Sequence, residues 1–73
     1  MPVTKENLED VFTYHAPTGD QPAKYQRIRE AAKHFAAVIL EDVPTCGDQQ
    51  AAIRHVREAA FTANAAIATN AAV

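Results

Sequence analysis

Cysteine is nearly absent from this 73-residue sequence: Cys46 stands alone. No disulfide can therefore stiffen the chain. A single thiol also argues for a reducing, intracellular setting, or at least against a secreted disulfide scaffold. The three histidines, His15, His34 and His55, are scattered, and with one cysteine they form no ligand cluster, which argues against a metal cage. Large apolar side chains are also scarce. Hydrophobic residues make up 48% of the chain, but 16 of those 35 are alanine, leaving 19 larger ones. A chain of this size buries only about 60% of the surface its unfolded form exposes. So thin a core needs support, and self-association or long helix packing is the support left. No apolar run approaches the roughly 20 residues of a membrane span, and Met1-Pro-Val-Thr-Lys-Glu6 has no signal-peptide core. The expectation is a soluble, single-domain protein over residues 1–73.

Charge of one sign does not dominate either. Seven basic against nine acidic residues give a net charge of -2, which argues against long-range attraction to a DNA duplex. The average hides three blocks: residues 1–20 carry -3, residues 21–40 carry +3 and residues 41–73 carry -2. An anion site would draw on the middle block.

Both glycines and three of the four prolines fall in two short stretches, Pro17 to Pro22 and Pro44 to Gly47, that divide the chain into three pieces. Each reads as a helix. The first begins after Thr4 as N-cap and carries Leu8, Val11 and Phe12 at helical spacing. At about two turns it would not be stable alone, so these side chains must pack on something else. The second starts at Asp20 as cap, with Pro22 in its first turn, and runs to about Asp42, before Pro44. Its buried stripe is Ile28, Ala31, Ala32, Phe35, Val38, Ile39 and Val43. Thr45 to Asp48 turns the chain and caps the third helix. There Ile53, Val56, Ala60, Ala63 and Ile67 step by three and four, while Ala52, Ala59 and Ala66 repeat every seven residues beside them. The pattern predicts an all-α fold: a short N-terminal helix, then a long, close antiparallel hairpin. The second alanine strip suggests a partner helix from another subunit, hence a homo-oligomer.

Catalytic patterns fail one by one. There is no Gly-rich phosphate loop, no His-Glu-x-x-His and no Cys-x-x-Cys. Cys46 with a histidine as base is the remaining nucleophile, but a turn cysteine without a specific electropositive site is inert. His34 and His55 fall outside the apolar stripes. No enzyme, metal or cofactor is expected.

Binding has better support. At about 100° per residue, Lys24 and Tyr25 fall within about 60° of Ile28, with Arg27 and Arg29 flanking at about 100° on either side. These groups stand close to Tyr14 and His15 in the preceding loop and to the N-terminus of the second helix. Lysine on such a stripe also commonly snorkels its charge to the surface. An anion with a flat ring would use all of them: cations for phosphate, Tyr14 or Tyr25 for stacking. On the third helix, Arg57, Phe61 and Asn64 share one edge of the stripe centred on Ala60. Asn64, a polar residue in an apolar seam, suits register control through a hydrogen bond to the partner helix, or a pocket between subunits lined by Arg57.

The run from Phe12 to Lys33, with its Tyr14-His-x-Pro-Thr turn and Lys24-Tyr-x-x-Ile-Arg start, is followed by Pro44 and by Arg57-Glu-Ala and Ala63-Asn-Ala-Ala-Ile-Ala68. Over residues 8–69 it resembles the helical-hairpin domain of phage anti-defence sponges, which sequester cyclic nucleotide signals of CBASS immunity, with relatives acting against Thoeris immunity. The resemblance implies a homohexamer in the host bacterial cytoplasm that binds ligands without cleaving them. It implies that cyclic dinucleotides sit between two subunits, with Tyr14 stacking and Lys24 or Arg29 meeting phosphate; His15 and Tyr25 adjoin these residues. It also implies a second site for cyclic trinucleotides at Arg57, Ala60 and Phe61, where Phe61 is bulkier than the pattern calls for. The competing expectation is a structural or adaptor hairpin that oligomerises and docks a partner protein.

Overall fold

The computed structural model describes residues 2–70. It contains three helices: α1 (Leu8–Phe12), α2 (Gln21–Asp42) and α3 (Gly47–Ala68). The last two form the expected antiparallel hairpin. Each has 22 residues, about 33 Å of helix. In α2 and at its C-cap Val43, the side chains turned toward α3 are Tyr25, Ile28, Ala32, Ala36, Ile39 and Val43, each half-buried or buried. In α3 they include Ile53, Val56, Ala60, Asn64 and Ile67. Ile39, at 7% exposure, is the one buried apolar side chain among the described residues. A two-layer pair of alanine-rich helices has no third layer to close over it, so the seam stays half-open.

Both ends of the hairpin are tied by glutamines. At the turn, Gln49 is 2% exposed; its Nε2 donates to the Val43 carbonyl at 3.1 Å and its Oε1 accepts from Gln50 Nε2 at 3.1 Å. At the open end, Gln21 Nε2 donates to the Ile67 carbonyl at 2.9 Å, and Gln21 Oε1 accepts the Thr18 backbone N–H at 3.0 Å. The Gln49 bond gives the Val43 carbonyl, just past the end of α2, a partner, while the Ile67 carbonyl also accepts the Asn70 backbone N–H at 3.1 Å.

The N-terminal segment departs from expectation in two ways. Thr4 is not the N-cap: residues 5–7 form a turn, and α1 begins at Leu8 after Asn7, whose Oδ1 accepts the Thr4 N–H at 2.8 Å. A short amide side chain that captures a nearby N–H holds a turn in place of a further helical turn. Asp20 does occupy the N-cap position of α2 but makes no side-chain cap bond. Moreover, α1 does not pack against either long helix. Leu8 and Phe12 are exposed, Phe12 by 81%.

The chain is correspondingly open. Its accessible surface is 5666 Å², whereas a compact monomer of 7.9 kDa would expose about 4,400 Å². Its radius of gyration is 15.0 Å, against about 11 Å for a compact domain of this length. Among the described residues, no helix is long and apolar enough to cross a membrane.

Candidate functional site

Among the described residues, three hollows on this scaffold bear on function. On one face of the hairpin, Tyr25, Arg29 and Lys33 from α2 meet Arg57, Phe61 and Asn64 from α3 around a hollow of about 270 Å³. Helical spacing explains the gathering, because residues four apart stand one above another on each helix. The Arg57 guanidinium lies 5.7 Å from the centre of the Phe61 ring, within cation–π range. Beneath them Asn64 Oδ1 is buried with no hydrogen-bond partner. The bond to the partner helix expected of Asn64 is not made through this oxygen.

At the open end of the hairpin, Tyr14 and His15 border a second, polar hollow with Thr18, Gly19, Thr69 and Asn70, about 630 Å³ in volume. Gly19 has φ +56° and Asn70 φ +53°. Glycine takes that left-handed conformation freely and asparagine is among the few other residues that tolerate it, so both turns fit their residues. His15 Nε2 lies 2.7 Å from the Asp10 carbonyl. A carbonyl only accepts, so Nε2 carries the proton, and the bond ties the His15 loop to α1. Tyr14 itself is 75% exposed.

The five residues expected to hold a dinucleotide are therefore divided. Tyr14 and His15 border the end hollow, Tyr25 and Arg29 the hollow on the face, about one helical turn farther along α2. Lys24 borders neither; its Nζ pairs with Asp20 Oδ2 at 3.2 Å. Arg57, Ala60 and Phe61, expected to form a separate site, border the same hollow as Tyr25 and Arg29. Counting around one helix finds an edge but cannot tell which edge of the other helix faces it. The cation that such counting leaves out of this group is Lys33, which lies at about 140° from Ile28, just beyond the arc considered.

The third hollow, about 590 Å³, is an apolar groove on the hairpin's other face, bordered by Ile28, Ala31, Phe35, Ile39, Val56 and Ala59 among others. The remaining chemistry is plain. Cys46 is a free, exposed thiol at the turn. His55 Nδ1 lies 3.5 Å from Glu58 Oε2 at an exposed position. No group of acidic, histidine and cysteine side chains suited to a metal occurs among the described residues.

Residues 4–68 match the family model of the Acb2/Tad1 hairpin domain. The chain belongs to this family. Acb2/Tad1 proteins are the anti-CBASS and anti-Thoeris sponges, known for sequestering cyclic nucleotides rather than for catalysis. Neither the curated proteins nor the solved structures include a match to the chain. The Acb2/Tad1 match extends over all three helices, so the arm with Tyr14 and the hairpin face with Arg29 and Arg57 both lie inside it.

Proposed function

We propose that this Acb2/Tad1 hairpin is a phage anti-defence protein that assembles as a homo-oligomer, a hexamer by family resemblance, in the host bacterial cytoplasm. There it sequesters cyclic oligonucleotide immune signals without cleaving them. One observation carries the reading: Tyr14 is exposed at the open end of the hairpin, while the cations and Phe61 that would complete a nucleotide site border a separate hollow on the hairpin's face. A stacking platform and its phosphate partners then come together between copies. In the cyclic dinucleotide site Tyr14 stacks on a base, with His15 and Tyr25 beside it. Arg29 is the phosphate partner in preference to Lys24, since Lys24 already has Asp20. Arg57, Ala60 and Phe61 serve the second, trinucleotide site. Sequestration needs tight stoichiometric binding and no catalytic group, in keeping with a chain whose only cysteine lies in an exposed turn.

Calorimetry with a panel of cyclic di- and trinucleotides tests this directly. Saturable binding of at least one is expected. A structural or adaptor hairpin would bind none of them.

A further inference from the structure

We propose that Asn64 reads the base of a nucleotide held in the hollow on the hairpin's face, selecting adenine by its exocyclic amine. This rests on the nucleotide binding proposed above and names the base that the site at Arg57, Ala60 and Phe61 takes. Three cations, Arg29, Lys33 and Arg57, border the hollow and no carboxylate does. None of the three takes part in an ion pair among the described residues. With them stands Asn64, whose Oδ1 is buried without a hydrogen-bond partner. The cations call for an anion. The oxygen calls for a donor, because a buried acceptor left unmatched is costly and rare. A single nucleotide supplies both.

The arrangement also has a nucleotide's polarity. The bonds from Gln21 to Ile67 and from Gln49 to Val43 fix the antiparallel register, which sets Lys33 level with Arg57 and Tyr25 level with Asn64. One end of the hollow is therefore cationic, and the other joins an amide to an aromatic ring. Arg57 and Asn64 stand two turns apart on one face of α3, about 10 Å along its axis. That is the reach of one nucleotide from its phosphate to the far edge of its base. Phe61 lies between them and is 61% exposed, which leaves ring surface for the base to stack on. The hollow, about 270 Å³, falls just below the roughly 300 Å³ at which sites for drug-sized molecules begin, so it holds one such unit. The torsion that turns an asparagine amide is soft, and Oδ1 swings to meet a donor in the hollow. Asparagine presents its oxygen beside its NH2 group, and adenine answers with its N6 amine beside N7. Guanine and hypoxanthine show two acceptors on that edge.

The test is a nuclear magnetic resonance titration of the whole chain with adenosine monophosphate and, separately, inosine monophosphate, which differ at the amine. Adenosine monophosphate should move the Asn64 side-chain NH2 signals and bind at least about fivefold more tightly than inosine monophosphate. Asn64→Leu should abolish that preference. Its melting temperature without nucleotide should not fall, because the parent oxygen makes no bond that the leucine could lose. Arg57→Ala should weaken both nucleotides alike, since it meets the phosphate that they share. Equal binding of the two by the parent would overturn the proposal, as would binding of neither, a preference that survives in Asn64→Leu, or a leucine chain that melts lower, which would make Asn64 a structural residue. Cyclic nucleotides bound by a parent indifferent to the amine would overturn this proposal alone. A preference for adenosine monophosphate in a chain that binds no cyclic nucleotide would count against the sequestration reading alone.

Discussion

Tyr14, Arg29 and Arg57 are the side chains on which the functional reading turns, and each makes a separate demand. Tyr14 is exposed and supports no packing, so Tyr14→Ala should leave the hairpin folded while removing a stacking platform worth about 1–3 kcal/mol per base. Arg29→Ala should remove a charge-assisted contact of about 1.5–3 kcal/mol, and symmetry would double either loss where both halves of a ligand meet equivalent residues. Titration of each variant with the dinucleotide that the parent binds measures these losses. If Tyr14→Ala binds as tightly as the parent while Arg57→Ala does not, the dinucleotide site lies on α3 instead. At this scale the sequence is partly legible. The residue types are visible, and the shared edge of Arg57, Phe61 and Asn64 follows from helical spacing. The meeting of Tyr25 and Arg29 with Arg57 is not legible, because it depends on how one helix is rotated against the other.

The hairpin itself is the most legible feature. Its punctuation by Pro22, Pro44, Gly19 and Gly47 and the three-and-four stepping of its apolar residues place α2 within a residue of where it lies and the start of α3 within the turn from Thr45 to Asp48. Its end ties are invisible in the sequence, since a glutamine reaching back to a backbone carbonyl leaves no periodic trace. Gln49 is the stronger test of them. Gln49→Ala would leave the Val43 carbonyl without this partner at the turn, a cost of about 1–3 kcal/mol. At fixed protein concentration the melting temperature should fall by several degrees, at about 4–8 °C per kcal/mol for a domain of this size. Thermal unfolding by circular dichroism measures it; an unchanged melting temperature would mean that the turn holds without this bond. The start of α1 lies at Leu8 rather than just after Thr4 because Asn7 Oδ1 accepts the Thr4 N–H and holds residues 5–7 in a turn, with Asn7 at the N-cap position but making no side-chain cap bond.

As a whole molecule, the chain is an open pair of helices with a short α1 that packs against neither, and its excess surface makes sense in an assembly. The alanine count foreshadows this, because alanine seams bring helices close but bury little area apiece. An assembly that sequesters its ligand must return it unaltered. When loaded protein is heat-denatured, the released ligand should elute as the intact cyclic nucleotide. Linear product, under conditions where free ligand survives, would reveal an enzyme.

The central claim is binding, and isothermal titration of the purified protein with cyclic di- and trinucleotides, at protein concentrations well above the dissociation constant, tests it most directly. At least one cyclic nucleotide should bind saturably, at a fixed ratio per assembly, with its linear counterpart bound far more weakly. Absence of binding across the panel, by a protein that is folded and assembled, would contradict it.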